Sequence, residues 1–241
     1  MKQPDEQDRV LVSPRHLAGR GDRLSDVLGP LIHLFEWKHE HRPDNGQVIV
    51  DSPDGSTFVD FTPGGFDEPW WTISHHEPYW KITASRQTPL EALAAVTQPL
   101  PQLLGDTRHC ERIPLATRSV AEIASINGWT TDGASVTSTD GHCTLRHRPD
   151  TEQPWLVESS VHDGFDTHWS VSFEGDVPDV LVRQFLTHVA STDPVERTLA
   201  DVPFLARFAA RITPMHGSAL GPHVAHALTA LPSQPSPQRS R

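Results

Sequence analysis

The chain of 241 residues is 36% hydrophobic and 21% charged, an ordinary balance for a protein that buries a core. Its formal charge of −11 disfavours a nucleic-acid partner, which calls for excess Lys and Arg along the phosphates. No run approaches the roughly 18 apolar residues of a membrane span, the opening Met1-Lys2-Gln3-Pro4-Asp5-Glu6 lacks the apolar stretch of a signal peptide, and Cys110 and Cys143 are too few for a disulfide framework, so the expectation is a cytoplasmic protein with no membrane partner.

Residues 1–8 read as a disordered start, and Val10 to Ser13 as an extended segment able to add an edge strand. Leu24, Val27, Leu28, Leu31, Ile32 and Phe35 then recur at helical spacing after Asp22 as a cap, with Gly29-Pro30 as a point for a kink. Four strands follow, Gln47 to Asp51, Ser56 to Phe61, Trp70 to His75 and Tyr79 to Ser85, as an antiparallel meander whose first turn carries Pro53-Asp54-Gly55. Thr88-Pro89-Leu90-Glu91 has the form of a helix start, with Thr as cap and Glu three residues on, and predicts a helix to Gln98.

The pattern then repeats. Arg112 to Leu115 is a second extended segment, Ser119-Val120-Ala121-Glu122 a capping box, and Asn127-Gly128 the helix end. Strands are predicted at 134–138, 142–147, 155–161 and 167–173, and a last helix from Pro178 with Leu181, Val182, Phe185, Leu186 and Val189 as its buried stripe. Phe204 to Ile212 predicts a short final helix. Residues 214–241, rich in Pro, Ser, His, Ala and Gln, read as a disordered tail.

Laid side by side, Trp37 meets Trp129, Trp70 meets Trp155, Trp80 meets Trp169, and Ser52-Pro53-Asp54-Gly55 meets Ser138-Thr139-Asp140-Gly141. Only Trp71 lacks a partner. The reading is an α+β tandem duplication of a helix, four-stranded antiparallel meander, helix unit, in a pseudo-twofold arrangement. The first repeat spans 9–108 (9 basic and 13 acidic residues), the second 109–197 (6 and 14), and a helical extension 198–213.

With the paired Trp, the Ser-Pro-Asp-Gly turn, the opening Val12-Ser13-Pro14-Arg15-His16-Leu17-Ala18-Gly19 and the stretch Phe165-Asp166-Thr167-His168-Trp169 in view, the chain resembles the SPDY domain family of actinobacterial proteins, a domain of unknown function. The family commonly carries its domain twice, as expected here, and the resemblance covers about residues 9 to 197. It implies no activity, cofactor or site residue. The second turn departs from the pattern in having Thr139 for Pro.

The candidate chemistry is sparse. The paired Trp residues read as core anchors, while Trp70 and Trp71, adjacent on a strand, must face opposite ways, so one can be exposed for ligand. Arg146 and Arg148 stand where the first repeat has Asp60 and Thr62, and either bind an anionic partner or pair with acids of a neighbouring strand. His39-x-His41, His75-His76-Glu77 and Cys143 with His147 match no metal pattern, and Asp163, Asp166 and His168 are an acid and imidazole cluster that hairpin chemistry explains. No Gly-x-Ser-x-Gly or phosphate loop is present, so no catalytic residue, metal or cofactor is assigned. The resulting expectation is a non-catalytic binding module for a protein partner or a second copy. Single-stranded nucleic-acid binding, by analogy with duplicated sheet-plus-helix folds, is the alternative, and a metal-dependent enzyme stands last.

Overall fold

The computed structural model describes residues 5–65, 68–162 and 166–215. In chain order the elements are β1 (Arg9–Ser13), a 3-10 turn (Arg15–Leu17), α1 (Leu24–His33), β2 (Lys38–Arg42), β3 (Gln47–Asp51), β4 (Thr57–Phe61), β5 (Trp71–His75), β6 (Trp80–Ala84), α2 (Leu90–Thr97) and α3 (Leu100–Leu103). There follow α4 (Val120–Ile126), β7 (Thr130–Asp132), β8 (Ser135–Thr137), β9 (Cys143–His147), β10 (Trp155–His162), β11 (Asp166–Gly175), α5 (Asp179–Ala190), β12 (Val195–Thr198), a second 3-10 turn (Leu199–Asp201), α6 (Ala206–Ala209) and β13 (Arg211–Pro214). Helices and strands mix as an α+β protein requires, and no helix is long and apolar enough to cross a membrane among the described residues.

Ten strands form one antiparallel sheet in the order β2-β3-β4-β5-β6-β11-β10-β9-β8-β7. The second set of five runs in reverse order to the first, and the sets meet along β6 and β11, with Trp80 opposite Gly175 and Ala84 opposite Val171. Each half therefore has five strands rather than four. The added β2 is Lys38-His39-Glu40-His41-Arg42, exposed at every position, and a run with no apolar alternation carries no strand signal. Its charges suit an outer edge, where they discourage pairing with a second sheet.

Alternation puts Val59, Phe61, Trp71, Ile73, Trp80 and Ile82 of the first half, and Cys143, Leu145, Val157, Trp169, Val171 and Phe173 of the second, on one buried face. The helices α1, α2, α5 and α4 lie over it in that order, with α2 against α5 across the joint. Phe185 of α5 meets Trp169 and Phe173 edge-on, each at 6.0 Å between centroids. Burying one such ring contributes roughly 3 kcal/mol. The opposite face presents Thr72, Thr83, Thr144, Ser170 and Ser172.

The register also corrects the Trp pairing. Thr62 N–H donates to the Trp70 carbonyl as Arg148 N–H donates to that of Pro154, and Phe61 stands opposite Trp71 as His147 stands opposite Trp155. Trp71, not Trp70, is the equivalent of Trp155. Sequence aligns the wrong pair because both halves contain Pro-Trp, and one half has a second Trp directly after it.

Three segments depart from expectation for a common reason. Strand β1 is no edge of the large sheet but the centre of a separate three-stranded one, between β12 and β13. Its Val10 and Val12 pack with Val195, Leu199 and Val202, and an apolar strand with both edges free finds partners at the other end of the chain. Hence only Ala206–Ala209 of the expected final helix is helical, and Pro214, placed in the tail, belongs to β13. Met215 N–H still reaches the Arg9 carbonyl at 2.9 Å. Residues 216–241 of the expected tail, and 1–4 of the expected start, lie outside the described residues. Arg112 to Leu115 forms no strand.

A buried cation joins this small sheet to the first half. Arg197, 3% exposed, donates to Glu91 at 2.8 Å and to the carbonyls of Ala18 and Gly19. The capping box expected at Thr88-Pro89-Leu90-Glu91 is therefore absent: Glu91 turns to Arg197, and Thr88 makes no cap bond. The other expected box, at the start of α4, the counterpart of α1, does form, Ser119 N–H donating to Glu122 and Glu122 N–H to the Ser119 hydroxyl.

Candidate functional site

The same turn is built twice. Ser52 Oγ donates to Asp54 at 2.6 Å and accepts from Thr57 N–H, while Asp54 accepts from Ser56 N–H. Ser138 Oγ donates to Asp140 at 2.5 Å and accepts from Cys143 N–H, while Asp140 accepts from His142 N–H. Gly55 (φ 71°) and Gly141 (φ 77°) close the turns in the left-handed region, which favours glycine. Replacing Pro by Thr139 therefore leaves the geometry intact.

What differs is a visitor. His16, from the turn after β1, donates its Nε2–H to Asp140 at 2.9 Å, and its carbonyl accepts from Trp169 Nε1 and Ser159 Oγ. Burial works to raise the Asp140 pKa, but His16, Ser138 and the His142 amide together hold the carboxyl below the usual carboxylate range. A cavity of about 300 Å³ adjoins the pair, lined by Pro14, Asn127, Trp129, Val189 and Ser191 among others. Both Asp140 oxygens already accept hydrogen bonds from the protein, so the pair serves as a staple between the chain's start and the second half. This contact, across 124 residues, has no motif to announce it.

The larger concavity lies on the open face of the sheet, over the β6–β11 joint. It measures about 740 Å³. Its floor carries Thr83, Leu156, Ser170 and Ser172, with Thr83 and Ser172 hydroxyls hydrogen-bonded across the joint at 2.7 Å. Ser85, Arg86 and Gln87 line one end and Gln153 another, and Pro203, Phe204 and Leu205 form a wall. The wall belongs to the segment before α6, held in place by the small sheet. Phe204 is 67% exposed and sits edge-on to Phe208 at 5.2 Å.

None of Trp70, Trp71, Arg146 and Arg148, singled out from sequence, is among the residues that line this groove. Trp71 is fully buried and reaches no ligand, and Trp70 lies half-buried beneath the guanidinium groups of Arg20 and Arg86, at 5.4 and 5.1 Å. Arg146 pairs with Glu158 of the neighbouring strand, which explains it without a ligand. Arg148 is exposed beyond the end of β9. His168 occupies a bulge of β11 and lines the groove, whereas Asp163 lies outside the described residues. His39 and His41 are exposed on β2, His75 stacks on Trp80, and His147 stacks on Trp155 at 3.8 Å. Burial pushes the Cys143 thiol up, so it stays protonated. No group of three His, Cys, Asp or Glu side chains able to hold a metal occurs among the described residues.

The sheet, helix layer and joint define an α+β protein of two sheet-and-helix halves with an open groove between them. Residues 51–102 and 137–195 each match SPDY, a domain of unknown function (DUF317), so the chain carries two SPDY segments in tandem. Both fall within the repeats read from sequence, and each holds one Ser-x-Asp-Gly turn, three strands of the large sheet and the helix that follows. The groove takes residues from both segments, and its Pro203 to Leu205 wall lies outside them. No curated protein and no solved structure gives a match.

Proposed function

We propose that the chain is a non-catalytic binding module whose ligand occupies the groove over the β6–β11 joint. The observation that carries this is the groove itself, about 740 Å³ and lined by side chains from both SPDY segments and from the Pro203 to Leu205 wall. That volume is in the range of ligand sites, roughly 300–1,000 Å³. In this reading the segments 9–108 and 109–197 are copies of one unit about a pseudo-twofold axis through the joint, working in the cytoplasm. Duplication then creates a site that neither copy has alone. A partner protein or a second copy of the chain would meet the same open face. The single-stranded nucleic-acid reading finds little stacking surface, because Trp37, Trp71, Trp80, Trp129 and Trp169 are buried and the half-buried Trp70 and Trp155 already stack against Arg20 and Arg86 and against His147.

The test is an NMR screen of the full chain against a mixed library of oligosaccharides, extended peptides and oligothymidine. Shifts are expected at the amides of Thr83 to Gln87 and Thr167 to Ser172. Hits that map elsewhere, or no hits at all, overturn the proposal.

A further inference from the structure

Resting on the binding-module reading, we infer that the groove takes a short neutral oligosaccharide. Within a chain of charge −11, the formal charges lining the groove cancel, Glu68 against Arg86. Nothing there steers a polyanion or a polycation. With the Thr83 and Ser172 hydroxyls bonded to each other and Ser172 donating to Glu174, what the lining offers is the Ser85 and Ser170 hydroxyls and the Gln87 and Gln153 amides. Each of these groups both donates and accepts, which is the complement of a sugar hydroxyl doing the same.

The backbone excludes the other chain-like ligands. A peptide held by strand addition needs a free strand edge, but the floor strands β6, β10 and β11 are interior and paired on both sides. A nucleic-acid strand needs a track of cations and exposed rings to stack on, and the groove lining holds one Arg. A pyranose needs less: polar groups around its rim and an apolar surface against its C–H face. Phe204, exposed and braced by Phe208, supplies that surface with Leu156 and Leu205 beside it.

The experiment is titration of the full chain with cellotriose, maltotriose, xylotriose and tri-N-acetylchitotriose, followed by saturation-transfer NMR and amide shifts. At least one trisaccharide is expected to shift the Thr83 to Gln87 and Thr167 to Ser172 amides saturably. Phe204→Ala should weaken that binding by about tenfold, the worth of one aromatic contact, while leaving the thermal midpoint unchanged because the ring is exposed. Gln87→Ala tests the polar end in the same way. If none of the four sugars moves these amides at millimolar concentration, or if Phe204→Ala and Gln87→Ala both bind normally, the inference fails. Should peptide or oligothymidine shift the same amides where sugars do not, the sugar assignment falls and the binding module stands. Silence from every ligand class removes both.

Discussion

The two halves of the large sheet share strands, turns and helix order, yet they are held to the rest of the chain by different hands. In the first half the acid at the helix start, Glu91, leaves its cap position for Arg197 of β12. In the second half the corresponding helix, α5, starts Pro178-Asp179-Val180 and has no acid at the place of Glu91, and it is the turn acid, Asp140, that is claimed from outside by His16. Asp54, its counterpart, bonds only within its own turn. The lesson is that a repeated unit keeps its internal bonds and diverges in what its charged groups reach.

The largest expected effect tests the first of these attachments. Arg197→Ala leaves Glu91 without its partner in a mostly buried position, and unfolding in urea should report a loss of about 3–5 kcal/mol. Glu122→Ala, which removes only a capping box, should cost about 1 kcal/mol. Equal losses from the two variants would show that the buried pair holds the small sheet no more strongly than an exposed cap holds a helix end. The position of Arg197 was invisible in the sequence, where Thr88-Pro89-Leu90-Glu91 looks as good a helix start as Ser119-Val120-Ala121-Glu122. Local grammar describes a bond that is available, and a buried guanidinium 106 residues away offers a stronger one.

The pH response separates the halves next. His188, on α5 of the second half, is pushed down to about 4 by burial and then by the Arg15 guanidinium. The native state thus refuses a proton that the unfolded chain accepts below about pH 6.5. Its effect is nil above that pH, grows as pH falls, and levels off below about 4 at roughly 3 kcal/mol of lost stability. Stability curves between pH 7 and pH 4 should show this slope, and His188→Gln should flatten it. A slope unchanged by that variant would place the titrating group elsewhere.

The paired turns give a smaller contrast. Asp140→Asn keeps the turn but takes the charge from His16, and should cost about 2 kcal/mol at pH 7, the scale of one hydrogen bond to a charged group. Asp54→Asn, on an exposed turn, should fall within about 0.5 kcal/mol. The carboxyl of Asp140 is held below its unfolded range, so its contribution is complete above that range and is lost progressively as pH falls from there through the lowered folded value. Thermal midpoints of the two variants decide the matter. Much of the fold was legible: the Asp-Gly turns, the capping box at Ser119, the buried stripe of α5 and all eight inner strands follow from local sequence pattern. Not legible were β2, whose five residues are all polar, and the groove, whose hydroxyls resemble any solvated strand face until the wall around Phe204 encloses them.

The smallest effect is also the one that runs against the chain as it stands. Each half turns from its first helix into a Trp through one residue in the left-handed region, Gly128 before Trp129 and Glu36 before Trp37. Trp129 N–H then returns to the Ala124 carbonyl, and Trp37 N–H to that of Leu31. Glycine adopts this conformation without strain, whereas an L side chain carries a cost of about 1–2 kcal/mol. Glu36 offsets little of it, since its ion pair with Arg108 is solvent-exposed at both ends. Glu36→Gly should therefore stabilise the protein by up to about 1 kcal/mol after the greater freedom of glycine in the unfolded chain is counted. Gly128→Ala should destabilise by a similar amount. If both changes moved the urea midpoint in the same direction, the two helix ends would not be the same structural device, and the correspondence of Trp37 with Trp129 would lose its physical basis.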